Sequence, residues 1–513
     1  MSDSASLNST TAARNLGIAS DFVTMGDQGV AWGFGIAKFA TSAGFGIASS
    51  IIRAPAAVLE QSVGPNAVSF GLRGVDSIVG LAHGAARCGQ HLSQSITHTS
   101  LRATKAGFAA AGAQDGQLLR LAVGDDVAEA VVTIEKMVRG FAEPLAEVPL
   151  SSLLSAAAAW SVLQRSNAAA AVAGRDEHFA LPPLTVRWLR FSAATFGAQW
   201  FAGLVEGFSF SAPARAREVA AQGGGPGNVA LAYAGVEGRV EVLAFEQHPQ
   251  DVFSPGFMVA VDHELGVVVV AIRGTSSVTD VLADLVCEPA PIQLGGLDGI
   301  AHAGMLKAAQ LLDVNLAPIV EVGLGKLVAA VTPQRVVICG HSLGAGVSAL
   351  LAALWRNQGR FSGLDVRCFA FACPQVLDAT LATSFSNHTV SFVVGGDLVP
   401  RLSLATAKDL AAATLLLHRP ETHHLPASFT TGEILAAEAR GDTGHFVGAH
   451  ATVRAATRTS VGRLYPAGRL VELTPGRPPR VVGHEFVDEL LVASDMVSAH
   501  MPWRYLDALR GSS

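Results

Sequence analysis

The sequence predicts an α/β protein: an open, largely parallel central sheet with crossover helices over residues 181 to 513, preceded by a mostly helical region over residues 1 to 180. Three observations carry that expectation. Val336, Val337, Ile338 and Cys339 form a continuous apolar run of strand length, as in a strand covered on both faces, and an Ala-rich helical pattern follows a few residues later. From residue 267 onward, apolar runs alternate with helical segments, the pattern of strands joined by crossover helices. The first 180 residues, by contrast, are rich in Ala, Gly and Ser and hold little that reads as a strand.

Composition narrows the function classes. Half of the residues are hydrophobic and 15% are charged, apolar enough to raise the question of lipid contact. The formal charge of −6 argues against a nucleic-acid partner. Five cysteines without CxxC spacing (Cys88, Cys287, Cys339, Cys368 and Cys373) read as buried thiols of a reducing compartment rather than a disulfide framework or a zinc site. The start of the chain has no basic n-region followed by an apolar h-region, so no secretory signal is expected and an intracellular location is.

Taken in order, residues 33–43 (GFGIAKFATSA) and 44–54 (GFGIASSIIRA) form a tandem repeat of period eleven, close to three helical turns, which keeps Phe34 and Phe45 on one stripe. Lys38 is the only charge between Gly29 and Ile52, so the stretch suits a lipid interface as well as a buried helix. Residues 70–86 carry the same ambiguity, and Ser151 to Gly174 favours helix. An amphipathic helix is expected over residues 182–201, a loop at 222–228, and strands at Val229–Tyr233, Val240–Phe245, Phe257–Asp262 and Val267–Ile272. Helices from about Ser277 to Leu285 and Met305 to Leu312, and strands at Val366–Phe371 and Val390–Val394, complete the alternation. Residues 402–463 read as an insertion that acts as a lid or serves as linkage alone.

The chemistry centres on Gly340-His341-Ser342-Leu343-Gly344. Between a strand and a helix this spacing makes a nucleophile elbow, a strained turn whose flanking Gly340 and Gly344 must lack side chains. A serine hydroxyl needs a base, and the base needs an orienting carboxylate; in α/β hydrolases they follow in the order Ser, Asp, His. Asp397 stands just past a strand-like run, after Gly395 and Gly396. Four downstream histidines compete as the base: His445, His450, His484 and His500. The base belongs after the last strand, for which Phe486–Val492 is the final candidate, and this favours His500; His445 and His450 fall in a polar insertion and read as solvated. Backbone N–H groups for an oxyanion are expected from Leu343, after the nucleophile, and from the Arg273-Gly274-Thr275 turn, where the Thr275 hydroxyl is a further donor or a helix N-cap. No P-loop, dinucleotide fingerprint or metal-ligand cluster competes, and neither cofactor nor metal is expected; His423-His424 is a lone pair in a loop.

Residues 271–285 (AIRGTSSVTDVLADL), 301–305 (AHAGM), 340–346 (GHSLGAG), 395–401 (GGDLVPR) and 495–505 (DMVSAHMPWRY) together resemble the class 3 lipases, most closely the diacylglycerol lipase type. The resemblance implies an α/β-hydrolase fold and hydrolysis of acylglycerol esters. It matches Ser342, Asp397 and His500 to a catalytic triad, Thr275 and Leu343 to an oxyanion hole, and His302 to a supporting histidine near the site. It also implies a lipid partner, at a membrane or droplet surface, and a regulatory role for the insertion at 402–463. The clean run of transmembrane spans found in the membrane-bound animal relatives is not evident in the first third of this chain. A phospholipase or galactolipid acyl hydrolase is the alternative within the same chemistry, and a catalytically silent membrane-binding scaffold the alternative outside it. If the repeats are an interfacial anchor, a chain beginning near residue 181 is expected to hydrolyse a soluble ester normally and to bind liposomes poorly.

Overall fold

The computed structural model describes residues 148–511 except 149, 172–176, 198–211, 248–253, 276–288, 328–334, 420–428, 442, 447, 461 and 494. The repeats at 33–54, the stretch at 70–86 and the helix expected near 277–285 lie outside the described residues. In chain order the elements are α1 (Leu150–Ala171), β1 (Glu177–His178), α2 (Thr185–Ala194), α3 (Ala212–Ala221), α4 (Pro226–Tyr233), β2 (Val240–Glu246), β3 (Phe257–Asp262), β4 (Val267–Ile272), β5 (Pro289–Leu294), β6 (Leu297–His302), α5 (Ala303–Lys326), β7 (Arg335–His341), α6 (Leu343–Asn357), β8 (Asp365–Phe371), α7 (Ala379–Ser384), β9 (Thr389–Val394), α8 (Leu404–His418), α9 (Thr431–Arg440), α10 (Ala449–Thr457), β10 (Arg469–Leu473), β11 (Arg480–Val481) and α11 (Pro502–Arg510).

β-Branched runs bracketed by turn residues become strands. β3 and β4 are joined through His263 to Gly266, where Gly266 takes a φ of 65° and the Asp262 carboxylate accepts the Leu265 N–H at 3.2 Å. Among the described residues the strands form a sheet of order β1-β11-β10-β9-β8-β7-β4-β3-β2 and a separate β5-β6 hairpin. The centre, β10-β9-β8-β7-β4, is parallel throughout, and antiparallel pairs close both edges. Side chains alternate between the two faces. Val269, Val337, Phe369, Phe371 and Phe392 meet α2 and α11 through Trp188, Phe191, Tyr505 and Leu509, with Phe371 and Phe392 stacked at 5.2 Å. Val268 on the opposite face lies under α5, where a methyl group on Gly323 would approach it to 3.1 Å. A sheet covered on both faces needs this near-continuous hydrophobicity, and β4 is buried at all six positions.

Several expectations are corrected. Val229–Tyr233 is helical, part of α4, because Gly225 and Pro226 start a helix there: proline at the first turn has its φ preset and lacks an N–H that would have no partner. Phe486–Val492 is not a strand but a 3₁₀ turn, His484–Phe486, followed by irregular backbone. The last parallel strand is β10, whose charged Arg469 and Glu472 disguise it; Glu472 is buried and bonds Arg480 of the neighbouring β11. α2 covers Thr185–Ala194, shorter than expected, and α5 runs on to Lys326, well past Leu312.

The described residues of 402–463 include three helices, α8, α9 and α10. α8 is buried along most of its length, started by a capping box between Ser403 and Thr406, and α1 packs against α8, α9 and α10. Asp488 ties these parts together. It accepts hydrogen bonds from Arg454 Nη2 (3.1 Å), Arg458 Nη2 (2.7 Å), Arg463 Nε (2.7 Å) and the Tyr465 hydroxyl (3.1 Å), while Arg463 also reaches Asp409 of α8 at 2.6 Å. Burial alone would raise the Asp488 carboxyl, but the bonds from Arg458 and the charge of Arg463 outweigh it and hold it below the usual carboxylate range. A carboxyl depressed in the folded state stabilises fully above its unfolded value, and that stabilisation disappears as pH falls through the folded value. Asp488→Asn is therefore expected to cost about 3 kcal/mol at neutral pH, because it takes a carboxylate partner from the buried Arg463 guanidinium and from the more exposed Arg454 and Arg458, and to flatten the acid limb of the stability curve. Urea melts from pH 3 to 7 check this; equal acid sensitivity of the two proteins would overturn it.

Candidate active site

β7 runs through the middle of the sheet and ends at His341. Ser342 then turns the chain with φ 62° and ψ −135°, a conformation that costs a non-glycine residue about 1–3 kcal/mol, and α6 begins at the next residue. The Ser342 N–H donates to the Phe371 carbonyl at 2.9 Å, which anchors the turn to β8. The flanking glycines are required by contact with backbone: a methyl group on Gly340 would lie 2.3 Å from the Gly344 carbonyl oxygen, and one on Gly344 would lie 2.3 Å from that of Ile272. Gly344→Ala must push α6 off the end of β4 and is expected to cost about 1–3 kcal/mol and most of the activity. An unchanged melting temperature with full turnover would count against this contact.

Ser342 is 1% exposed and its Oγ lies 2.9 Å from His500 Nε2. His500 Nδ1 lies 3.1 and 3.2 Å from the two carboxylate oxygens of Asp397. Asp397 is fully buried and also accepts the Val399 N–H at 2.9 Å and the Tyr505 hydroxyl at 2.5 Å. Burial alone would raise its carboxyl; the charge of His500 and the bonds from His500, Tyr505 and Val399 outweigh burial and hold it below its usual range. An ionised carboxylate only accepts, so Nδ1 carries the proton toward Asp397 and Nε2 is the lone pair that faces Ser342.

Two further residues complete the arrangement. Tyr505 is fully buried on α11, and burial together with the Asp397 charge pushes its phenol well up, so it remains a donor. The His341 ring lies 4.8 Å from that of His500, and its Nε2 donates to the His500 carbonyl at 2.8 Å. Burial and the nearby His500 charge push His341 down to about 3, so it stays neutral. Neither role is legible from residues 340–346 or 495–505 as sequence, since nothing in a spacing shows that α11 folds back beneath Asp397.

The remaining expected positions fall as follows. Leu343 heads α6, so its N–H belongs to the first helical turn, where no carbonyl of the same helix accepts it. Gly274 lies against the serine: a methyl group there would come within 3.2 Å of Ser342 Cβ and 2.5 Å of the His341 carbonyl oxygen. Thr275, the next residue, is partly exposed. His302 caps α5, accepting the Met305 N–H at 3.3 Å. His450 is not solvated but buried, with Nε2 2.9 Å from Glu489 and its ring stacked on Trp160 at 4.9 Å. His484 stacks on Tyr465 at 4.5 Å. Cys339, Cys368 and Cys373 are buried thiols, and burial pushes Cys339 up to about 12.

Residues 269–407, the stretch from β4 through the serine and the aspartate, match the family described as Lipase (class 3). The chain resembles the class 3 lipases of the diacylglycerol lipase type. It is 39% identical over 163 residues to diacylglycerol lipase-beta of Mus musculus, covering 31% of this chain and 23% of that protein. It is 35% identical over 160 residues to diacylglycerol lipase-alpha of Homo sapiens, covering 30% and 15%. With the secreted mono- and diacylglycerol lipase A of Penicillium camembertii the identity is 30% over 172 residues, covering 33% and 53%. The match thus spans under a quarter of the mammalian relatives. Among solved structures, the mono- and diacylglycerol lipase from Aspergillus oryzae aligns at 22% identity and a TM-score of 0.31, covering 44% of this chain and 75% of that one. The α/β-hydrolase fold expected for the class 3 lipases is the fold of this sheet.

Proposed function

We propose that this protein is a serine-dependent carboxylic ester hydrolase of the acylglycerol lipase type, with Ser342, His500 and Asp397 as nucleophile, base and orienting acid. The observation that carries the reading is the continuous hydrogen-bonded line from Ser342 Oγ through His500 to Asp397, begun at a strained strand-to-helix turn. In this reading His500 Nε2 takes the Ser342 proton as Oγ attacks the ester carbonyl carbon. The resulting oxyanion is met by the Leu343 N–H and by Thr275. Collapse breaks the bond to the glycerol oxygen, which leaves with the proton from His500. Water then enters, gives its proton to His500 and attacks the acyl-enzyme; its oxygen departs in the fatty acid, and Ser342 regains a proton. Asp397, held ionised by Tyr505 and the Val399 N–H, stabilises the imidazolium in both halves.

The curated relatives, named as diacylglycerol or mono- and diacylglycerol lipases, support diacylglycerol as the first substrate to test. Such a substrate resides in lipid, so the enzyme acts at a membrane or droplet surface. Among the described residues no helix is long and apolar enough to cross a membrane. The test is fatty-acid release by the full chain from diacylglycerol, triacylglycerol, phospholipid and galactolipid, with Ser342→Ala as control. Preferred release from phospholipid or galactolipid would replace the acylglycerol reading while keeping the chemistry; no Ser342-dependent release from any would sink it.

A further inference from the structure

His500 reaches Asp397 on a segment that the sheet does not hold. Residues 487–493 form no strand, and side chains from distant parts of the chain take over the work of a neighbouring strand. Gln375 Nε2 donates to the Val487 carbonyl at 2.9 Å, and Arg401 donates to that of Phe486. The most complete substitution comes from α1. Gln164 Nε2 donates to the Leu490 carbonyl at 2.9 Å while its Oε1 accepts the Val492 N–H at 3.0 Å, so one amide side chain pairs with the segment as a strand would. One turn earlier on α1, Ser161 Oγ donates to the Val492 carbonyl at 2.5 Å. Both residues are buried, at 7% and 4% exposure. Glu489, just ahead of the two clamped residues, also accepts from Gln164 and pairs with His450. Further along, the Met496 carbonyl accepts the Leu398 N–H at 3.1 Å, which joins the tail of the segment to the Asp397 loop.

We propose that Gln164 is a positioning residue for His500, and hence that α1, although it precedes both the class 3 lipase match and the boundary expected near residue 181, is part of the catalytic unit. The proposal rests on reading Ser342, His500 and Asp397 as a triad. Without the amide, a buried carbonyl and a buried N–H lose their partners, and the segment must shift to recover them. His500 then leaves the 2.9 Å contact with Ser342, and a displacement of a fraction of an ångström at a base slows proton transfer without touching the substrate site. On this view a chain beginning at residue 181 is crippled in chemistry, not only in lipid binding.

The test uses the full chain, p-nitrophenyl butyrate as a soluble ester, and a fluorophosphonate that labels Ser342. Gln164→Met keeps length and helix preference while removing the amide. It is expected to lower kcat about ten-fold, leave KM within about two-fold, and slow labelling by the same factor as kcat while labelling still runs to completion. Ser161→Ala, which removes one bond to the segment together with the bond that Ser161 accepts from Arg165 within α1, is expected to lower kcat about three-fold. Unchanged kcat in a folded Gln164→Met protein overturns the proposal. So does a lower final extent of labelling at an unchanged rate, the signature of lost folded protein. If Gln164→Met does not fold, Ser161→Ala decides alone, and an unchanged kcat in it overturns the proposal. A wild-type chain that neither hydrolyses the ester nor labels at Ser342 instead refutes the triad reading, and takes this proposal with it; that result is seen before any variant is made.

Discussion

Replacing Ser342 by alanine is expected to lower ester hydrolysis on the order of 10⁴-fold or more while leaving the protein folded. The size of the loss follows from the division of labour: without Oγ there is no acyl-enzyme, and what survives is whatever the oxyanion donors and substrate binding achieve with water alone. The fold should survive because Oγ gives up a single bond, that to His500 Nε2, while the Ser342 N–H keeps its bond to the Phe371 carbonyl. Alanine bears the same Cβ and must adopt the same φ of 62°, so the strain of the turn is retained rather than relieved. The change in stability is expected to stay within about 1 kcal/mol. Turnover, fluorophosphonate labelling and a thermal melt on the same preparation check all three statements. A folded variant that keeps most of its activity would remove Ser342 from the mechanism.

The strands at the centre of the sheet are legible because apolar runs there are buried on both faces, and Gly or a polar turn punctuates them; β3, β4, β7 and β9 have this character, and β8 shares it from Cys368 to Phe371. It failed where a short apolar run has two readings. Val229 to Tyr233 is as compatible with a buried helix as with a strand, and the proline ahead of it, read as part of a loop, was the start signal of α4. β10 was hidden for the opposite reason, since a buried Glu472 looks like a solvated residue until Arg480 is placed beside it. The elbow and Asp397 were legible because each is a local event at a strand's end. Tyr505, Gln164 and the partners of His450 were not, because their roles depend on contacts across 108, 326 and 39 positions of sequence. Position singles out His500 only if a strand runs through Phe486–Val492, where the backbone is a 3₁₀ turn and irregular chain; the last parallel strand, β10, lies further upstream and precedes His484 as well as His500.

His500→Ala is expected to match the loss in Ser342→Ala, on the order of 10⁴-fold, whereas the other downstream histidines should separate from it by kind as well as size. His500 carries the two bonds of the proposed proton route, one to Ser342 and one to Asp397, and its removal leaves Asp397 buried with Tyr505 and the Val399 N–H as its remaining donors. His450 has the opposite profile. It sits against Glu489 and Trp160, away from the line that joins Ser342 to Asp397, so His450→Ala should unfold at a lower temperature, with a stability loss of about 2–3 kcal/mol and a turnover defect far smaller than that of His500→Ala. His484, partly exposed and stacked on Tyr465, should be milder still on both counts. Measuring kcat and the urea midpoint for the three variants in parallel separates a base from a structural histidine, because the base moves turnover with little change in midpoint and the buried pair does the reverse. If His450→Ala were the silent enzyme and His500→Ala the active one, the hydrogen-bonded line from Ser342 to Asp397 would not be the route of the proton.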